Sequence, residues 1–196
     1  MEVRGVMGYE GHLMMVDDRG EQAQHVADAL GRLIAAHELV GGDIVSAGGT
    51  GTAHLHHVVS PGSGSGVTEV QAGSYALMDS HYARLVESFE QAAFVLGTVI
   101  SVGNTNGGYA VADVGLKAVG MDHGNPTLAT GHGSGGTVWF LSDEHITFRP
   151  DQPVVVGDRV HVVPAHIDPT MAMHAVAWLV DGDEVVDRWP IDLRGW

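Results

Sequence analysis

Gly20-Glu21-Gln22-Ala23-Gln24-His25-Val26-Ala27-Asp28-Ala29-Leu30-Gly31-Arg32-Leu33-Ile34-Ala35-Ala36-His37-Glu38-Leu39 is the stretch on which the fold turns. Val26, Leu30, Leu33 and Ile34 recur three and four residues apart, the spacing of one helix face. Asp17 or Asp18 stands where an N-cap is needed, and Gly41-Gly42 lies just beyond the end. On either side, Arg4 to Gly8 and Asp43 to Ala47 read as strands, so the order is strand, helix, strand, as in a parallel sheet. The Gly- and Ser-rich residues 60–66 read as a flexible loop leading to a third strand at Val67 to Ala72.

Further out the texture changes. A helix is expected over Ser80 to Phe89, and after it the pattern is β throughout. Strands are expected at Phe94 to Val102, Tyr109 to Val119, Thr137 to Leu141, Arg159 to Pro164, Ala175 to Val180 and Glu184 to Trp189. Asp181-Gly182 reads as a tight hairpin turn whose two central residues reach positive φ. The expected fold class is thus α/β plus β, with one domain over residues 1–85 and an antiparallel β domain over 86–196.

The 196 residues are 44% hydrophobic, enough for a packed core. No apolar run is long enough to cross a bilayer, and Met1-Glu2-Val3-Arg4-Gly5 lacks the basic-then-apolar pattern of a signal peptide, so the expected location is the cytoplasm. A net charge of −15 repels phosphate backbones and anionic lipid, which argues against a nucleic-acid or membrane partner and for a small molecule. Without cysteine, any metal must be held by histidine, carboxylate or water. There are thirteen histidines, which raises the chance of ligands among them, and a single lysine, Lys117.

The segment Pro164-Ala165-His166-Ile167-Asp168-Pro169-Thr170 carries the chemistry. On a strand, positions i and i+2 share a face, so the His166 imidazole and the Asp168 carboxylate converge as metal ligands. An isolated His-x-Asp reads first as a solvated edge. The surrounding blocks change that weighting.

That segment, with Val185-Val186-Asp187-Arg188-Trp189-Pro190 and Arg194-Gly195, resembles the C-terminal signature of the D-threonine aldolase and D-serine dehydratase-like family of metal-activated pyridoxal phosphate enzymes. Four more blocks agree in order: Gly8-Tyr9-Glu10-Gly11-His12, residues 45–52 (Val-Ser-Ala-Gly-Gly-Thr-Gly-Thr), residues 69–75 (Glu-Val-Gln-Ala-Gly-Ser-Tyr), and Asp113 to Ala118 followed by Asp122-His123-Gly124. The resemblance implies the later part of a (β/α) barrel of alanine racemase type followed by an antiparallel β domain. It implies a lyase that cleaves D-3-hydroxy amino acids, D-threonine giving glycine and acetaldehyde, with ammonia loss as in D-serine dehydratase as the alternative.

By the same resemblance Tyr9 lines the cofactor, Thr50, Gly73 and Ser74 bind its phosphate, and His166 and Asp168 hold the metal. In barrels of this kind, glycine-rich loops after strands present backbone amides to phosphate. His12 and His123 are brought towards the substrate, although histidines against glycine-rich turns also serve structure, and no residue is assigned a catalytic role. A hard carboxylate at Asp168, where the dehydratases use a cysteine thiolate, favours manganese or magnesium, with zinc still open, and tilts the choice to the aldolase.

One feature departs from the family. The Schiff-base lysine lies early in its barrel, in a region without counterpart here, and Lys117 matches a different position. The expectation is therefore a chain whose site is completed by a complementing barrel chain, association with that chain or with a second copy covering the open strand edges. The alternative is a non-catalytic metal- and phosphate-binding subunit or truncated relative.

Overall fold

The structure is a computed structural model describing residues 1–56, 66–105, 108–129, 135–192 and 194. Most of the expected loop at residues 60–66 lies outside the described residues. The chain divides into two compact units, residues 1–76 with 84–89, and residues 77–83 with 90–196.

The first unit holds a three-stranded parallel sheet in the order β1 (Gly5–Gly8), β2 (Ile44–Ala47), β3 (Glu69–Val70). Between β1 and β2 runs α1 (Arg19–Val40). The Asp18 side chain accepts from the Glu21 amide at 2.9 Å, which satisfies an otherwise orphaned donor of the first turn. Gly41 ends the helix at φ 74°, its amide donating to the His37 carbonyl. Leu33 packs with Val45, Ala47 and Val67 as the core of this unit, so the helix periodicity read from the sequence is the face that is buried.

The second unit contains a six-stranded antiparallel sheet built from β4 (Val95–Gly103), β5 (Tyr109–Ala112), β6 (Thr127–Leu128), β7 (Gly136–Leu141), β8 (Ile146–Pro150) and β9 (Arg159–Val163). Its strand order is β6-β9-β4-β5-β8-β7. Val99, Ala112, Ile146, Phe148, Val160 and Val162 form its core. Fully burying a side chain the size of Ile146 or Phe148 contributes about 1.5–3 kcal/mol. A separate hairpin pairs β10 (Val176–Asp181) with β11 (Glu184–Pro190), and between β9 and β10 lies the short helix α2 (Ile167–Met173).

Several expectations are corrected. Ser80 to Phe89 is not an α-helix: Asp79 caps the turn through the amides of His81 and Tyr82, but only a 3₁₀ turn at Tyr82–Arg84 follows. The strand expected to continue to Val119 stops at Ala112, since the amides of Leu116 and Lys117 bond instead to the carbonyls of Ser142 and Asp143, and that of Ala118 turns back to Gly115. Strands β6 and β8 were not foreseen; β6 is two residues long and β8 ends in Pro150.

The hairpin turns one residue later than expected. Asp181 pairs with Glu184, so Gly182 and Asp183 are the central residues, and Gly182 alone has positive φ, 58°, with glycine first as in a type II′ turn. Finally, His166-Ile167-Asp168 is not a strand. His166 is the extended N-cap residue of α2, Asp168 sits in its first turn, and Pro169 is tolerated there because a first-turn amide has no intrahelical partner.

Candidate metal centre and glycine-rich turn

Three segments of the second unit meet around His166. The extended His166 backbone delivers the imidazole at the start of α2, and the buried Thr170 hydroxyl one turn later donates to the His166 carbonyl at 2.8 Å. The same hydroxyl accepts from the Gly120 amide at 3.0 Å, tying the segment that carries Asp122 and His123 to the helix. A Cβ on Gly120 would come within 2.7 Å of the Pro169 ring, so this approach is open to glycine alone.

The imidazole of His166 is placed between two carboxylates. Nδ1 is 2.5 Å from Asp122 Oδ2, and Nε2 is 3.4 Å from Asp168 Oδ2. Partial burial pushes the Asp122 carboxyl up, but the hydrogen bond from His166 outweighs it and holds the group below its ordinary range. An ionised Asp122 accepts, so Nδ1 carries the hydrogen and, in neutral imidazole, Nε2 presents its lone pair on the side of Asp168. A carboxylate that orients a ligating histidine through its far nitrogen is a recurrent metal-site device.

His123 stacks on His166 with ring centroids 4.0 Å apart and planes 8° apart, and His81 lies over His123 at 4.4 Å. Asp122, His123 and His166 can each offer one ligand atom, all within 4.8 Å of one another. Imidazole nitrogen and carboxylate oxygen is a donor set that suits divalent first-row ions. The residues present therefore fit a metal.

In the first unit the expected cofactor residues also gather. The Tyr75 amide donates to Thr50 Oγ1 at 3.1 Å, joining the 48–52 turn to the turn at Gly73 and Ser74. The Tyr9 ring lies against this glycine-rich turn: a Cβ on Gly49 would fall 2.8 Å from Tyr9 Cε2, and half of the tyrosine remains exposed. His12 sits exposed in the 3₁₀ turn Gly11–Leu13.

A cluster that sequence reasoning missed lies beneath the turn. Buried Glu10 accepts from the Thr52 hydroxyl at 2.6 Å, from His56 Nε2 at 2.7 Å and from the Gly48 amide at 3.1 Å. Burial alone raises the Glu10 pKa, but the bonds from His56, Thr52 and Gly48 prevail and lower it to about 2. Gly48 has φ 80°, and His56 fills the place a Cβ would take. Two glycine positions expected to admit an anion are thus packed against this chain's own His56 and Tyr9. Thr50 still has a hydroxyl hydrogen to donate, because its oxygen is the acceptor for Tyr75. That leaves a residue able to meet a phosphate oxygen, and the fit to pyridoxal phosphate rests on this side of the turn.

Lys117 does not belong to either cluster. It pairs on the surface with Glu144 at 2.5 Å, and that hydrogen bond raises its pKa, keeping it a cation. The helices of the described residues include none long and apolar enough to cross a membrane.

A family described as "Putative serine dehydratase domain" matches residues 92–180. The 3-hydroxy-D-aspartate aldolase of Paracoccus denitrificans is 31% identical over 98% of this chain and 51% of its own length. The solved structure of the D-threonine aldolase of Filomicrobium marinum superposes with a TM-score of 0.81 at 31% identity, covering 97% of this chain and 53% of that one. Over about half of their length, the chain is similar to D-threonine and 3-hydroxy-D-aspartate aldolases, and its residues 92–180 match the serine dehydratase-type domain. An alanine racemase-like protein from Idiomarina loihiensis extends the fold match, with a TM-score of 0.71 at 25% identity over 98% of this chain and 56% of that chain. The fold class is accordingly the later part of a (β/α) barrel of alanine racemase type with an antiparallel β domain after it. The chain spans about half the length of these relatives.

Which site residues were within reach of sequence reasoning follows from their surroundings. His166 and Asp168 stand in a motif and were named. Asp122 adjoins His123 in a block that was quoted, yet only the 2.5 Å approach to His166 gives it a role. Glu10 stands in a quoted block but its role depends on Gly48, Thr52 and His56, 38 to 46 residues away, while Asp79 meets Ile167 only across 88 residues and His81 is placed by stacking.

Proposed function

We propose that this chain is the C-terminal part of a pyridoxal phosphate- and divalent-metal-dependent lyase that cleaves D-3-hydroxy amino acids, such as D-threonine to glycine and acetaldehyde. His166 and Asp168 are its metal ligands, with His123 beside them and Asp122 setting the tautomer of His166. The observation that carries this reading is the double approach to one imidazole, Asp122 at Nδ1 and Asp168 at Nε2, which leaves a lone pair and a carboxylate side by side.

Bound there, the metal would act as a Lewis acid on the substrate hydroxyl, and the cofactor would withdraw electrons from the substrate Cα. The chain's own residues hold and orient: Asp122 keeps the proton of His166 on Nδ1, and Thr50, Gly73 and Ser74 meet the cofactor phosphate with Tyr9 against its ring. The lysine that anchors the cofactor comes from a complementing barrel segment matching the half of the relatives this chain does not cover, on the same or another polypeptide. The carboxylate of Asp168 favours manganese or magnesium over thiolate-seeking zinc.

The test is calorimetric titration of the metal-stripped chain with Mn²⁺, Mg²⁺ and Zn²⁺, followed by mixing with the first half of a D-threonine aldolase and pyridoxal phosphate. Saturable metal binding and acetaldehyde release from D-threonine are expected. Pyruvate and ammonia from D-serine instead would assign the dehydratase reaction, and metal binding without turnover in any mixture would leave a non-catalytic binding subunit.

A further inference from the structure

Asp79 is a buried carboxylate that the proposed chemistry does not use. It is 0% exposed, in the 77–83 segment that belongs to the second unit. Its Oδ1 accepts from the amides of His81 at 3.1 Å and Tyr82 at 2.8 Å, and its Oδ2 accepts from the amide of Ile167 at 3.0 Å. The first pair shapes the turn that carries His81. The third caps the first residue of α2, whose neighbour is His166. One side chain, bonded to Ile167 88 residues away, thus joins the two ends of the histidine column.

A second observation at the neighbouring residue points the same way. Met78, fully buried, is the one non-glycine residue with positive φ among the described residues, at 56°. Left-handed backbone at a non-glycine residue is strained and persists only where the surroundings over-determine it. Here the flanking bonds do so: the Ser80 amide donates to the Pro164 carbonyl at 2.9 Å, and the amides of Ala92 and Ala93 donate to that of Leu77. The twist at Met78 turns the next residue, Asp79, back on α2.

We propose that Asp79 is the positioning residue of the metal centre: by clamping the His81 turn to the N-terminus of α2 it stacks His81, His123 and His166 and holds the His166 imidazole between Asp122 and Asp168. Outer partners that fix a ligand's orientation change metal affinity about 10–100-fold when removed. This inference rests on the metal reading above, and its readouts separate the two.

Asp79→Asn keeps the shape but replaces one acceptor oxygen with an N–H₂ group that opposes an amide donor. In the metal-stripped full chain, the Cε1–H resonances of His123 and His166, displaced upfield by their stacked neighbours, are expected to return towards random-coil positions. Mn²⁺ affinity is expected to fall about 10–100-fold. Val99→Ala, a cavity in the sheet core away from the histidines, serves as the stability control and is expected to lower the melting temperature with no change in either readout. In the unmodified chain the amides of His81, Tyr82 and Ile167 are expected to exchange as slowly as those of β4, so a variant that does not fold still leaves the clamp testable.

Retained ring shifts and wild-type Mn²⁺ affinity in Asp79→Asn, or loop-like exchange of those three amides, would overturn the proposal. A wild-type chain that binds no divalent ion would end the metal reading, and the metal-free ring shifts and exchange rates would then decide Asp79 by themselves.

Discussion

Each unit of this chain brings a carboxylate against a histidine, and the two pairings are built in opposite ways. In the first unit Glu10 and His56 are sealed: their side chains are 4% and 1% exposed, and the Glu10 carboxylate already accepts from Gly48, Thr52 and His56. In the second, His166 is about a quarter exposed and Asp168 mostly so, and one ring nitrogen of the histidine is engaged while the other stands beside a carboxylate. A buried carboxylate that gathers three donors welds a turn to a strand. A partly exposed one can be reached by a ligand. The same residue types thus serve structure in one place and, in the function proposed, chemistry in the other, and burial makes the difference.

The largest expected effect tests the sealed pair. Glu10→Ala leaves the Gly48 amide, the Thr52 hydroxyl and His56 without their shared acceptor, and should destabilise the protein by about 3–5 kcal/mol in urea unfolding. Mn²⁺ affinity should be unaltered, and a parallel loss of metal binding would break the distinction between the two clusters.

The same carboxylate predicts an acid response. Because the folded-state pKa of Glu10 is lowered from 4.5 to about 2, its stabilisation is complete above pH 4.5 and is lost as the pH falls towards 2. Denaturant midpoints measured from pH 5 to 2 should decline over that window, and Glu10→Gln should flatten the decline.

Asp122→Asn probes the open pair. Asparagine's amide can still accept from Nδ1 through its oxygen, but without charge, so Mn²⁺ affinity should drop about 10–100-fold in calorimetry while the melting temperature changes little. An unchanged affinity would remove Asp122 from the site.

The smallest effect is expected at Lys117. Its ion pair with Glu144 is 66% and 59% exposed, so Lys117→Ala should alter stability by less than about 1 kcal/mol and leave metal binding and turnover of the complemented protein as they were. Loss of the cofactor's visible absorbance in that variant would reverse the assignment of this residue.

Periodicity in the sequence was sufficient for α1 and its caps, for the parallel strands beside it and for the edges of most antiparallel strands, because these depend on neighbours within a few residues. Where a distant group competes for the backbone, local reading failed. The Asp79 carboxylate is shared with the amide of Ile167, 88 residues on, and the carbonyls of Ser142 and Asp143 draw Leu116 and Lys117 out of the strand expected there. The hairpin moved by one residue for a smaller reason, the position of its one left-handed glycine.

The sequence by itself determined the family resemblance, through ordered blocks covering nearly the whole chain, and the two residues proposed to hold the metal, through one short motif. Only the tertiary structure decided that His166 stands at the start of a helix instead of lying on a strand, that Asp122 sits on its Nδ1, and that His81 and His123 stack beside it. The physical reason is range. Helix faces and turns are written within about one turn of chain, whereas the orientation of an imidazole is set by partners 2 and 44 residues away that meet it only when the chain is folded.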